Sequence, residues 1–207
     1  YAAGSALGNG ISGLGNETVT IDDTASIDAS ALNTLNGYTT GNVDATTAES
    51  FTGTISDLNT LYAAAASSGD GIKGLGSEAA TVTDSSVSAS DLNTLNTSTD
   101  YNITVNATAI SGSLSDVSTL YGNKAGDSDA DTDGFTGLGN EAITLTDTGS
   151  IEADTLLTVA QANSSGTVDA SNAGTITGTA EEIIDAYADS TITEASDVAL
   201  TVNTANS

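Results

Sequence analysis

Phe135-Thr-Gly-Leu-Gly-Asn-Glu-Ala-Ile-Thr-Leu-Thr-Asp147 decides how this chain is read, because the chain writes it three times. ISGLGNETVTIDD occupies 11–23 and IKGLGSEAATVTD occupies 72–84, so Gly-Leu-Gly recurs after 61 and then 63 residues. In each version the second half sets apolar residues between small or hydroxyl ones, as in Thr18-Val19-Thr20-Ile21. A period of two is the mark of a strand with one buried face. The first half is rich in Gly, Asn and Ser, which supply turns without any Pro.

Outward from this stretch the copies stay in phase. VDA at 43–45, VNA at 105–107 and VDA at 168–170 come next, then FTGT from Phe51, ISGS from Ile110 and ITGT from Ile176. Each closes on a segment ending in Tyr: SDLNTLY, SDVSTLY and AEEIIDAY. Repeat 1 is therefore 11–71, repeat 2 is 72–134 and repeat 3 is 135–191. Residues 1–10 read as the end of a preceding repeat and 192–207 as a partial fourth. Leu58, Leu61, Tyr62 and Ala65 share one helical face, with Ser56 as the expected N-cap. Thr179 and Glu182 have the spacing of a capping box, and Ser30–Leu35 and Ser90–Leu95 read as single helical turns. Short strands, turns and helices recurring every 20–25 residues predict a mainly β fold: a repeat β-solenoid of stacked short strands with short outer helices. An array of small β-sandwich-like modules is the alternative.

The composition narrows the chemistry. Among 207 residues there are 28 Asp and Glu against 2 Lys and Arg, a net charge of −26, with no Cys and no His. Disulfides, thiolate or imidazole metal sites and Ser-His or Cys-His nucleophiles are thereby excluded. The negative field repels nucleic acid and anionic lipid, and favours cations as partners. No stretch is long and apolar enough for membrane insertion. Leu, Ile, Val and Phe number 41, a level at which such charge signals disorder, and the ordered repetition argues against that. Glu181-Glu182 is the one adjacent Glu pair and belongs to a first helical turn, so an enzyme is not expected.

Asp127, Asp129, Asp131 and Asp133, closed by Gly134, can converge several carboxylate oxygens on one hard cation. Counted as an EF-hand-like loop from Asp129, the twelfth position is Asn140, and Glu141 follows one later. Asp70 and Glu78 repeat the eight-residue spacing of Asp133 and Glu141, either as further calcium ligands or as a turn with a solvent-facing Glu. A regular Thr ladder of the kind that binds ice is not expected, because the Thr-x-Thr pairs lie about 62 residues apart.

GLGNEAITLTDT at 137–148, LNTLN at 32–36 and 92–96, GNVDA at 41–45 and FTGTISDLNTLYA at 51–63 resemble repeats of giant secreted bacterial surface proteins of the marine cyanobacterial type. Those are adhesin-like or haemolysin-type calcium-binding chains. The glycine-rich nonapeptide of true haemolysin-type repeats is absent here, so no metal site is carried over from them. The resemblance implies a secreted, structural or adhesive role at the cell surface. Scarcity of Lys and Arg, which tryptic proteases need, and absence of Cys, Met and Trp suit such exposure. The expectation is an extracellular structural protein whose subunits stack head-to-tail into a filament or surface layer, Leu200–Val202 of one meeting Tyr1–Ile11 of the next. The alternative is a calcium-stiffened adhesin segment of a longer polypeptide.

Overall fold

The computed structural model describes residues 15–65, 70–124 and 134–203. In chain order the elements are β1 (Val19–Thr20), β2 (Ser26–Asp28), α1 (Ala29–Asn36), β3 (Asn42–Asp44), β4 (Ser50–Gly53), α2 (Ile55–Ala63), β5 (Gly71–Lys73) and β6 (Ala79–Val82). Then come β7 (Ser86–Ser88), α3 (Ala89–Asn96), β8 (Ile103–Val105), β9 (Ala109–Gly112), α4 (Leu114–Gly122), β10 (Phe135–Thr136) and β11 (Ala142–Leu145). The last are β12 (Ser150–Glu152), α5 (Ala153–Ala162), β13 (Thr167–Ala170), β14 (Thr175–Gly178), α6 (Ala180–Ala188), β15 (Ile192–Glu194) and β16 (Ala199–Val202). They fall into two compact units: one of residues up to Asp84 with Thr94–Thr104, the other mainly of 105–124 and 135–203 with Ser85–Asn93.

In the first unit β1-β3-β5 form one parallel sheet, and β8-β6-β4-β2 lie side by side in another. Val19, Val43 and Ile72 stand in register across the first; Ile27, Phe51 and Ala80 do so across the second. Phe51 is fully buried, with the small Ala80 beside it, as dense packing of a narrow core requires. The second unit holds the sheets β15-β13-β11-β9-β7 and β12-β14-β16. Its inner row is Val87, Ile110, Ile143, Val168 and Ile192, all buried. The row on the other face is Ser88, Ser111, Thr144, Asp169 and Thr193, so Asp169 breaks any run of hydroxyls.

The chain is mixed α/β rather than mainly β. Its six helices, among the described residues, have 8 to 10 residues each, longer than single turns. The reason is local and repeated. Asp28 accepts the Ala31 N–H at 2.8 Å and starts α1 one residue after the strand; Thr54 and Ser113 start α2 and α4 in the same way. The cap of α2 is thus Thr54 and not Ser56, whereas the Thr179–Glu182 capping box forms as its spacing predicts. Gly53, Gly112 and Gly178 close the strands of the FTGT, ISGS and ITGT words. A Cβ there would stand 3.0–3.2 Å from the Cβ of Ala29, Ala89 or Ala153, each the first residue of a helix, so strand and helix approach closely at this point.

Every named strand pair is parallel. A helix between strand layers returns the chain to the same edge, which excludes the hairpins of a β-sandwich module. The layers do not close as a solenoid either. From β5 on, a coil of three strands and a helix alternates with one of two strands and a helix, and the third strand starts a new sheet: β12 pairs with β14 and not with β11.

Candidate functional site

Each repeat carries a Gly-x-Glu turn built from the same parts. Gly15, Gly76 and Gly139 have φ of +137°, +118° and +132°, a conformation that suits glycine alone. The turn aims two successive N–H groups inward, and the Glu two residues on folds back to meet them. Glu17 Oε2 accepts from Gly15 N and Asn16 N at 2.7 and 3.2 Å, Glu78 Oε2 from Gly76 N and Ser77 N at 2.8 and 3.1 Å, and Glu141 Oε2 from Gly139 N and Asn140 N at 2.8 and 3.1 Å. The Glu main-chain oxygen is held in turn by a side chain from the loop after the next helix: Thr39 at 2.8 Å, Thr99 at 2.7 Å and Asn163 at 2.8 Å.

These carboxylates are not solvent-facing. Glu78 is 3% exposed and Glu141 is 0% exposed, so the turn reading of the sequence needs correcting on this point. The N–H pair makes such burial tolerable, because a desolvated carboxylate is stable only where donors replace water. Burial pushes Glu78 above the ordinary glutamate value, and the N–H groups of Gly76 and Ser77 oppose that. A tyrosine from the preceding helix covers each buried turn. Tyr62 donates to the Glu78 main-chain oxygen at 3.3 Å; Tyr121 donates to Glu141 Oε2 at 2.6 Å. Burial raises both phenols, and the charge of the adjacent Glu raises them further. Glu141 Oε1 is buried without a hydrogen-bond partner.

Asp70 is exposed at the start of β5, and Glu78 is committed to its own turn. Among the described residues no three acidic groups converge as a cation would require. Asp127, Asp129, Asp131 and Asp133 lie outside the described residues. Sequence reasoning missed Asp84 and Asp147. Asp84 Oδ2 accepts the Ile55 N–H and Asp147 Oδ2 the Leu114 N–H, both at 2.7 Å, so each repeat caps the last helix of the repeat before it. The signal was available in the Asp that ends TVTD and TLTD in the same phase. An open cleft of about 320 Å³ lies beside the second latch, lined by Leu114, Ser115, Ser118, Asp147, Ile151 and Glu152.

The recurrent arrangement locks turns and joins successive repeats. No protein-family model, curated protein or solved structure matches the chain.

Proposed function

We propose that the chain is a structural, non-catalytic protein of the cell exterior whose copies stack head-to-tail, coil upon coil, into a filament or surface layer. The observation that carries this reading is the contrast between end layers and inner layers. Ile143 and Leu145 of β11 are 1% and 0% exposed; the same positions of β16 are Leu200 and Val202, at 50% and 60%. Tyr121 of α4 is 5% exposed, whereas its counterpart Tyr187 on α6 is 44% exposed, beside Ile184 at 65%. At the other end Val19, Ile21 and Leu35 are half-buried, although Val82 and Leu95 at the matching sites of repeat 2 are fully covered. A further layer is what covers these positions inside the chain, and a second copy supplies one.

Magnitudes decide how such a contact works. Covering the four C-terminal side chains, already partly shielded, contributes on the order of 1 kcal/mol each. Association costs ~4–15 kcal/mol in lost freedom. Side chains alone fall short, and main-chain pairing along the open edge of β16 has to supply the rest. Assembly is then concentration-dependent, and it is heterologous and open-ended. Electron microscopy and sedimentation of the purified chain test this. Filaments that lengthen with concentration and vanish in the Leu200→Asp/Val202→Asp double variant are the expected result. Compact monomers at every protein and calcium concentration would overturn the proposal.

A further inference from the structure

Repeat 3 departs from its siblings at two positions at once. Ala65 and Lys124 occupy the same place, each the single bridge into the next strand, to Ile72 and Phe135. Thr39, Thr99 and Asn163 likewise share a place, each donating to the main-chain oxygen of the Glu in its turn. Where the first position is Ala65, its turn is held by Thr99; where it is Lys124, the holder is Asn163. Only two lysines exist in the chain, and this one arrives together with a carboxamide.

Lys124, Asn163, Tyr121 and Glu141 meet around this turn. Lys124 Nζ lies 3.3 Å from the carbonyl oxygen of Ala162, the residue before Asn163. It lies close over Gly139, where a Cβ would come within 2.8 Å of Nζ. Asn163 is 0% exposed. Its Oδ1 receives the Glu141 N–H at 3.1 Å and stands 3.0 Å from the Tyr121 hydroxyl, which can turn its one proton to Oδ1 or to Glu141 Oε2. Two donors on a carboxamide oxygen polarise the carbon for attack. Glu141 adds a buried carboxylate with one oxygen, Oε1, unpartnered.

We propose that Lys124 and Asn163 join as an intramolecular isopeptide bond, with Glu141 as the proton carrier. A rotation of the flexible Lys124 stem brings Nζ from the Ala162 oxygen to Glu141 Oε1, the ammonium gives one proton to that carboxylate, and the freed amine attacks Asn163 Cγ. Oδ1 carries the developing negative charge between its two donors. A second proton passes from Nζ to Nδ2, the Cγ–Nδ2 bond breaks as the Cγ–Nζ amide forms, and ammonia leaves. The ammonia takes the proton held by Glu141 and departs as ammonium. The step is a single acyl transfer within one chain, with no net change in oxidation state. It ties the end of α4 to the end of α5 in a chain that has no cysteine to do so.

Intact-mass spectrometry of the purified full chain tests the proposal. The expected mass is about 17 Da below that of the sequence, one ammonia lost, with a branched peptide joining Lys124 to Asn163 on fragmentation. Lys124→Arg, at a half-exposed position, restores the full mass. Asn163→Asp still cross-links but loses about 18 Da, as water leaves instead of ammonia. Glu141→Gln keeps the full mass with a native circular dichroism spectrum. A full mass for the unaltered chain after prolonged warm incubation overturns the proposal. So does a deficit that persists in Lys124→Arg, which would place a succinimide at Asn163.

Discussion

Removing the carboxylate of Asp147 isolates the latch between repeats. In the structure Asp147 Oδ2 accepts the Leu114 N–H at 2.7 Å, while Ser113 serves the Asp116 N–H of the same turn at 3.1 Å. Asp147→Ala leaves Ser113 in place and strands one part-buried donor at a helix N-terminus. Cap removal costs about 0.5–2 kcal/mol, and loss of a charge-assisted bond lies toward the upper part of that range. Discounted for the half-exposed carboxylate, the cost is about 1.5 kcal/mol. For a chain of this size each kcal/mol moves Tm by about 2–4 °C, so a fall of roughly 3–6 °C is expected in thermal unfolding followed at 222 nm. Taking one negative charge from a chain of net charge −26 relieves self-repulsion and biases the result upward. Asp197→Ala, at an exposed loop position, makes the same charge change without touching a latch. If Asp147→Ala melts no lower than Asp197→Ala, the latch contributes nothing and the reasoning fails. Asp84→Ala, which frees the Ile55 N–H, should repeat the effect in the first unit.

Three further outcomes are expected. Glu78 has a folded-state value raised above the ordinary 4.5, so the folded state binds its proton more tightly, and this contribution is largest below 4.5 and is lost as pH rises through the raised value. The Tm difference between the native chain and Glu78→Gln should therefore change across that window and flatten above it; a constant difference from pH 3 to 8 would contradict the assignment. Calcium held by Asp127, Asp129, Asp131 and Asp133 should raise Tm over that in chelator at matched ionic strength, since saturation a hundredfold above Kd adds about 2.7 kcal/mol. Equal melts would remove calcium from the account. Residues 72–134 produced alone should show no cooperative melt, because β5 and β6 depend on β3 and β4 for their pairing; a sharp transition would mean that a repeat stands by itself.

Much of the strand pattern was legible. The alternation in Thr18–Ile21 and its copies marked β1, β6 and β11, and the in-phase words FTGT, ISGS and ITGT marked β4, β9 and β14. The helices were underestimated at Ala29–Asn36 and Ala89–Asn96, because Asn33, Asn36, Asn93 and Asn96 dilute the apolar periodicity there. The structure gives such polar positions a packing role: Asn33 donates to the Asp57 main-chain oxygen and Asn93 to that of Asp116, both at 2.9 Å, tying each helix to the next. The open, offset layering was not legible, since nothing local tells β7 or β12 to begin a new sheet. At the turns the sequence offered Glu78 and Glu141 as ligands or solvated side chains. Their burial depends on Tyr62, Tyr121, Thr99 and Asn163 arriving from elsewhere in the chain, and spacing along one segment carries no trace of that.

The spacing between a helix and the following strand has a practical corollary. From α2 to β5 the connection has 7 residues, from α4 to β10 it has 12, and from α6 to β15 it has 3, while β5 and β15 both pair in parallel register with the strand two before them, β3 and β13. Length at this junction is thus uncoupled from the lattice of main-chain bonds. A guest sequence spliced there, such as an epitope, an enzyme-binding tag or a mineral-nucleating peptide, would lengthen a connection and leave the strand pairing on either side of it unchanged.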